Sequence, residues 1–180
     1  MKKIGLIVGS LRRESYNRKL ALEFMALVPD GYQAELIEIS DLPVYNEDFD
    51  HGDPPQAVVD FRQKLSESEA FVFVTPEYNR SVPGGLKNAI DVGSRPPGES
   101  KWSQKPAAII SASPGAYGAF GANHHLRQSL VFLDMPTVQQ PEAYLGGIDQ
   151  AWEDDGTISQ RTKKLLQKVM DALIQLIEKQ

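Results

Sequence analysis

Short apolar stretches alternate along this chain with stretches of helical periodicity. Stretches that are continuously apolar, or that alternate with period two, predict strands at 4–8, 34–39, 71–74, 107–111 and 137–140. Apolar residues that recur every three or four positions predict helices at 17–27, 58–65, from about Pro83 onward, 123–133 and 159–177. Strand and helix therefore take turns from one end of the chain to the other.

This alternation predicts an α/β protein with a parallel sheet, because a crossover helix between successive strands leaves them pointing the same way. Right-handed crossovers place helices on both faces of the sheet, which gives three layers. The commonest arrangements are the flavodoxin-like strand order 2-1-3-4-5 and one half of a dinucleotide-binding fold, and both bind ligands at the carboxyl ends of the strands. We expect a single domain over residues 1–180, since no repeat or linker interrupts the pattern.

Composition limits the chemistry that this chain can perform. It contains no cysteine, which excludes disulfides, thiolate nucleophiles and iron–sulfur ligation, so redox chemistry would need a bound cofactor. A formal net charge of −5 argues against a nucleic-acid partner. No apolar stretch approaches the length of a membrane span and no signal peptide is visible, so we expect a cytoplasmic protein without a membrane partner.

The loop after the first strand, residues 9–17, has the features of an anion site. The first amides of the following helix have no internal partners, and Ser10, Ser15 and Asn17 add neutral donors. Arg12 adds a charged donor. The loop lacks the glycine spacing of a dinucleotide fingerprint and the Gly-Lys-Ser/Thr of a P-loop. These residues alone leave two interpretations open, a terminal phosphate ligand or a simple helix cap with solvated arginines.

The loop after the third strand, residues 75–89, is polar and contains Tyr78 and two prolines. Such a loop can present backbone donors and acceptors to the edge of a planar heterocycle, and the pyrimidine edge of a flavin alternates both. Tyr78 would then stack on the ring or flank it. The other interpretation is an ordered connection in which residues 83–85 simply begin a helix.

The loop after the fourth strand, residues 111–121, has three glycines among its last seven positions. Glycine lets the backbone lie close against a flat ligand. Ser113 and nearby amides suit the O2/N3 side of a flavin, where charge accumulates on reduction. Tyr117 and Phe120 would narrow the access to such a site. The other interpretation is a flexible surface loop, but three such loops at one sheet edge favour a ligand site more than any one of them does.

The order and spacing of these motifs resemble those of the NADPH-dependent FMN reductase family, in particular its quinone and chromate reductase branch. The resemblance covers nearly the whole chain, and its second motif is long and specific. The motifs are residues 9–12 with Ser15 and Asn17, residues 76–79 continuing through 81–91, residues 113–115 and residues 125–128. Arg80 departs from the pattern, because an aromatic or smaller residue is expected there, and it makes the cleft mouth more cationic.

The resemblance implies a flavodoxin-like fold with strand order 2-1-3-4-5 that holds FMN without a covalent bond. The residues that would bind the phosphate are Ser10, Arg12, Ser15 and Asn17, with Tyr16 beside them. The residues that would border the isoalloxazine ring are Pro76, Glu77, Tyr78 and Asn79, with Ser113 and Gly115 near its far edge. A homodimer or homotetramer, with each flavin cleft near a subunit interface, is also implied.

The implied reaction passes a hydride from NADPH or NADH to FMN, and then electrons to a small-molecule acceptor such as a quinone, an azo compound, chromate or free flavin. Hydride transfer at the flavin N5 needs stacking more than a side-chain acid, so no catalytic residue and no metal ligand is predicted. Glu77 is expected to order its loop. The sequence does not separate NADPH from NADH, and a flavodoxin-type one-electron carrier or a non-catalytic flavin sensor stays an alternative.

Overall fold

Five parallel strands build one sheet at the centre of the protein. The computed structural model describes residues 1–180, and the order of its strands is 2-1-3-4-5. The strands are β1 (Lys2–Val8), β2 (Tyr32–Leu36), β3 (Ala70–Thr75), β4 (Ala107–Ser113) and β5 (Ala143–Gly146). Each neighbouring pair in the sheet is parallel. The predicted α/β class and strand order are confirmed.

Helices cover both faces of the sheet. They are α1 (Tyr16–Met25), α2 (Gln56–Glu67), α3 (Gly84–Gly93), α4 (Phe120–Phe132) and α5 (Gln160–Ile177). On one face, buried side chains of α1 and α5 such as Phe24 and Leu173 pack against the strands. On the other face, α2, α3 and α4 contribute side chains such as Phe61, Leu86 and Leu126. These two apolar clusters produce the predicted three layers. No helix is both long enough and apolar enough to cross a membrane.

The fifth strand lies later in the chain than the pattern predicted. Residues 137–140 do not form it, because Thr137 makes only an isolated bridge to Ala107 at the start of β4. Pro141 follows, and a residue without an N–H cannot extend that pairing. β5 instead pairs with the second half of β4. Two segments thus pair with β4, Thr137 with its first residue and residues 143–146 with its second half. The second, more apolar segment forms the strand.

The loops that follow β1, β3 and β4 meet at the carboxyl edge of the sheet, because these three strands are adjacent. The register sets Val8 opposite Val74, and Thr75 opposite Ser111. In a sheet with this strand order, ligands bind at the switch point between β1 and β3. The three polar loops singled out in the sequence are therefore neighbours in space.

Candidate functional site

The loop from β1 to α1 contains backbone donors that the protein itself does not use. The N–H groups of residues 10–15 donate to no protein acceptor. Ser15 caps α1, because its Oγ accepts a hydrogen bond from the Arg18 N–H at 3.1 Å. The Ser15 hydroxyl hydrogen and the first amides of the helix stay available, and such groups at a helix N-terminus bind anions. The cap therefore does not exclude an anion site at this loop.

Two arginines of this loop form no ion pair, and together they outweigh the single negative charge of Glu14 beside them. A cavity of about 230 Å³ beside the loop has Arg12, Arg13, Arg18 and Glu38 among its lining residues. Glu38 binds Arg18 through both carboxylate oxygens, at 2.6 and 3.1 Å, and this hydrogen bonding raises the pKa of Arg18 above its usual value. Arg12 and Arg13 are exposed and form no ion pair. In a protein of net charge −5, they create a local attraction for anions.

Asn17 holds a buried acceptor that has no partner. Its Nδ2 donates to the Ala112 carbonyl at 3.3 Å, which ties the start of α1 to β4. Its Oδ1 is the one buried side-chain nitrogen or oxygen in the protein without a hydrogen bond. An unpaired buried acceptor costs about 1–3 kcal/mol, so a donor from a ligand fits this position.

A tight turn shapes the loop from β3 to α3. Tyr78 and Ser81 exchange two backbone hydrogen bonds, of 3.2 and 3.0 Å, across Asn79 and Arg80. Both central residues are left-handed, with φ of 51° and 63°, which is the pattern of a type I′ turn. Asparagine tolerates this conformation, whereas it costs an arginine about 1–2 kcal/mol. The turn leaves about half of the Tyr78 side chain exposed.

Glu77 reaches across to the neighbouring loop. One carboxylate oxygen accepts a hydrogen bond from the Ala122 N–H at 3.0 Å, and the other accepts one from Arg80 at 3.2 Å. Its side chain is only 11% exposed. Glu77 thereby caps α4, whose own N-cap residue, Ala119, has no side-chain acceptor. These contacts order two loops, as expected, and leave only the main chain of Glu77 to border a ring.

The loops after β3 and β4 lie against each other at two further points. A Cβ on Gly121 would lie 2.9 Å from Glu77 Oε2 and 3.0 Å from the Arg80 carbonyl oxygen, so any larger residue here would press the two loops apart. The Arg80 guanidinium lies 5.3 Å from the centre of the Tyr117 ring, in cation–π contact. The two loops expected to border a flavin are thus one packed unit.

A buried serine holds the loop from β4 to α4. Ser111 Oγ lies 2.8 Å from the Gly118 carbonyl oxygen, and Gly118 and Ala119 are left-handed, with φ of 55° and 59°. A Cβ on Gly118 would lie 2.6 Å from a backbone carbon at β5, so only glycine fits there. Ser113 Oγ donates to the Gly115 carbonyl at 3.2 Å. These contacts fix the shape of the loop and argue against a flexible surface connection.

The Tyr16 ring is used in packing. It stacks on Trp152, in the segment after β5, with ring centroids 6.1 Å apart. The main-chain N–H of Tyr16 lies in the first turn of α1, and it is the group of Tyr16 that a ligand at the loop from β1 to α1 could use. No group of three or more His, Asp or Glu side chains is placed so that it could hold a metal ion.

The sequence pattern does not identify the buried residues that support the loop from β4 to α4. Ser111 and Asn123 are fully buried, and the pattern places them only at the end of a strand and the start of a helix. The signal that could have identified Ser111 is its position as a polar residue in a segment that is otherwise apolar. Gly121 gives no separate signal, since its role depends on contacts with Glu77 and Arg80.

Known proteins are similar to this sequence over nearly its whole length. The family model described as NADPH-dependent FMN reductase matches residues 2–150. A quinone reductase of Pseudomonas putida is 56% identical over 168 residues, which cover 93% of this chain and 90% of that protein. An NAD(P)H-dependent FMN reductase of Pseudomonas aeruginosa is 46% identical over 169 residues, with the same coverage of 93% and 90%.

Known structures share the fold as well. The flavoenzyme NAD(P)H:(acceptor) oxidoreductase FerB from Paracoccus denitrificans superposes with a TM-score of 0.92 at 39% identity, covering 99% of this chain and 98% of that one. The resemblance inferred from the motifs is confirmed. This chain belongs to the NADPH-dependent FMN reductase family.

Proposed function

We propose that this chain is an NAD(P)H-dependent oxidoreductase that uses bound FMN to reduce quinones. The observation that carries the proposal is the meeting of three loops, of which one offers unused anion donors and two form a packed wall beside it. When bound, FMN supplies a ring that accepts a hydride from a nicotinamide and passes electrons on. The protein contributes binding and orientation.

The loop from β1 to α1 would hold the phosphate of FMN. The free N–H groups of residues 10–15, with the hydroxyls of Ser10 and Ser15, would donate to the phosphate oxygens, and Arg12 would add a charged donor. The unpaired Oδ1 of Asn17 would accept a hydrogen bond from a ribityl hydroxyl. The residues present therefore fit this end of the cofactor.

The loops after β3 and β4 would border the flavin ring mainly with backbone. The residues that we assign to this role are Pro76, Glu77, Tyr78 and Asn79 on one side, and Ser113 and Gly115 on the other. The nearby carboxylate of Glu77 is already bound to Ala122 and Arg80, so it orders the loops and does not transfer protons. This arrangement suits hydride transfer between stacked rings, which depends on alignment.

We propose a quinone as the acceptor because the relatives named above include a quinone reductase, and because the surface near these loops is aromatic and cationic. Tyr117 is 70% exposed and offers a ring face to a flat ligand. The Arg80 guanidinium above it adds positive charge, and the oxygens of a quinone gain negative charge as it is reduced.

We also propose that the chain forms a homodimer or homotetramer. The outer face of α4 exposes apolar side chains at both ends, Phe120 at the start and Val131 and Phe132 at the end, the last to 89%, with exposed histidine and glutamine side chains between them. A surface helix normally turns large apolar side chains inward, so an outer face that exposes three of them is a candidate interaction site. A second copy of this chain would cover the face beside the Glu77 loop that caps α4. Phe132→Glu should then give a smaller species by light scattering, and an unchanged mass would contradict the assignment.

The cytoplasmic location and the single domain over residues 1–180 remain predictions from the sequence.

The experiment for the proposed activity is purification of the full chain and titration with FMN. We expect a yellow protein whose flavin absorbance disappears when NADPH or NADH is added without oxygen, and returns when a benzoquinone follows. A chain that takes up no FMN would contradict the proposal. A flavodoxin-type carrier would accept electrons only slowly from NADPH and would need a protein partner, so fast direct reduction separates the two functions.

A further inference from the structure

A chain of buried polar groups runs beneath the loop from β4 to α4. Ser111 of β4 and Asn123 of α4 are fully buried, and Asn123 Nδ2 donates to Ser111 Oγ at 3.2 Å. Arg127 Nε donates to Asn123 Oδ1 at 3.1 Å, and Arg127 Nη1 donates to the Val138 carbonyl at 3.0 Å. Buried polar networks whose members are satisfied make a structure rigid and specify one conformation.

The Ser111 hydroxyl decides where this network ends. A hydroxyl has one hydrogen to donate, and here two carbonyl oxygens compete for it. The Gly118 oxygen lies at 2.8 Å and the Ala143 oxygen at 3.3 Å. The shorter distance is the usual one for an O–H···O hydrogen bond, so the hydrogen goes to Gly118. The network therefore ends on the peptide that joins the two left-handed residues, Gly118 and Ala119.

That peptide needs such support, because a residue with a Cβ, here Ala119, disfavours a positive φ. We infer that Ser111, Asn123 and Arg127 are positioning residues that hold the Gly118 carbonyl, and with it the loop from β4 to α4, in the shape that contacts the flavin. The inference rests on the proposed function, which places FMN against this loop. Ser111 and Asn123 have no exposed surface, so they act on a ligand only through the loop.

The effect of the loop on the flavin has a definite sign. In the proposed arrangement, the main-chain amides near Ser113 would face the side of the ring where negative charge accumulates on reduction, so a well-held loop would favour the binding of reduced FMN over that of oxidised FMN. Releasing the loop weakens the binding of reduced FMN more than that of oxidised FMN. A tenfold difference between these two losses lowers the two-electron potential by about 30 mV.

The test removes the hydroxyl and nothing else. Ser111→Ala deletes the bond to the Gly118 carbonyl and also the bond that Ser111 Oγ accepts from Asn123 Nδ2, so it interrupts the network on both sides of the hydroxyl. Ser129→Ala is the matched control, because its Oγ bonds only the His125 carbonyl within α4. For Ser111→Ala we expect FMN to bind about tenfold more weakly and the flavin potential to fall. The kcat of quinone reduction should change more than the KM for the quinone. Ser129→Ala should match the parent in every one of these measurements.

Arg127→Lys is the second variant. A lysine ammonium cannot replace the planar fork that spans Asn123 and Val138, and the position is only partly buried, so the variant should fold. We expect the same changes as for Ser111→Ala, but smaller. If Ser111→Ala does not fold, as judged by circular dichroism, Arg127→Lys decides the matter.

The outcomes separate this inference from the proposed function. A parent protein that binds no FMN would refute the proposed function itself. If the parent binds FMN and the folded variants keep its FMN affinity and potential, the positioning role is overturned while the proposed function stands. Weaker FMN binding and a lower potential in Ser111→Ala, with the control unchanged, support the positioning role.

Discussion

The loop after β1 and the loop after β4 lie at the same edge of the sheet, yet they are built in opposite ways. The first leaves its polar groups unused: the N–H groups of residues 10–15 have no protein acceptor, and Asn17 holds an unpaired oxygen. In the second loop the polar groups bond one another, as Ser111 does with Gly118. The comparison indicates that the first loop binds its ligand with free donors, whereas the second contributes a fixed shape.

This difference has a measurable consequence. Substitutions of the exposed, unpaired residues in the loop after β1, such as Arg12, should change the affinity for FMN and leave the free energy of unfolding of the FMN-free protein nearly unchanged, because the groups removed make few internal contacts. Substitutions in the loop after β4 should change both quantities together, since its shape and its internal bonds are the same feature.

Gly118→Ala should have the largest effect. The added Cβ would lie between 2.6 and 2.8 Å from three backbone atoms at β5, and backbone cannot swing aside as a flexible side chain can. Strain and overpacking of this kind together cost about 3 kcal/mol. We expect a lower Tm in thermal unfolding, and about 100-fold weaker FMN binding in a fluorescence titration.

The control for this change is Gly31→Ala. Gly31 also has a positive φ, of 90°, but no atom lies within 4 Å of the Cβ that would be added. This variant should lose stability through strain and keep the FMN affinity of the parent. If both glycine variants bind FMN equally well, the shape of the loop after β4 has no part in binding.

Arg12→Ala should follow in size. The arginine is exposed and unpaired, so the free energy of unfolding without FMN should change by less than about 0.5 kcal/mol. A lost hydrogen bond between an arginine and a phosphate costs about 1.5–3 kcal/mol, which is roughly a 10- to 100-fold loss of affinity. Equilibrium dialysis with FMN measures it, and Arg161→Ala, an exposed arginine of α5, is the control. If Arg12→Ala keeps the parental affinity for FMN, Arg12 does not bind the phosphate.

Asn17→Ala should have a smaller effect that depends on the ligand. Without FMN, the change removes an unpaired acceptor along with the 3.3 Å bond to Ala112, so the two contributions offset each other. With FMN, one neutral hydrogen bond is lost, which weakens binding by about 3- to 10-fold. Thermal unfolding with and without FMN measures both. A protein destabilised without FMN, but with parental FMN affinity, would show that the amide is purely structural.

The two loops also differ in how far the sequence predicts them. In the loop after β1 the groups that face a ligand are close together in the chain, so the strand, the cap and the donors can be read from one short stretch. The loop after β4 takes its shape from distant partners: Glu77 and Ala122, which cap one helix, are 45 residues apart. No local pattern encodes such a contact.

The misplaced fifth strand has the same cause. The alternation at 137–140 is real, but the neighbour that completes a parallel strand is β4, and β4 offers only its first residue there. The four-residue strand that does form, Ala143–Gly146, is too short for a periodic pattern to stand out. Strand order was predictable because it follows from the alternation of elements, whereas the position of an edge strand follows from tertiary pairing.

Arg18→Ala should have the smallest effect on FMN affinity. It compares an arginine that the protein already binds with the unpaired Arg12 beside it. Arg18 lines the same cavity as Arg12, but Glu38 already binds its guanidinium through two hydrogen bonds. The cap of α1 uses the main-chain N–H of Arg18, which the substitution retains. An exposed ion pair contributes about 0–1 kcal/mol, so we expect a small loss of stability and less than about a twofold change in FMN affinity. If Arg18→Ala instead weakens FMN binding as much as Arg12→Ala does, then the loop attracts the phosphate through its summed charge, and the distinction between unused and internally bonded groups does not hold there.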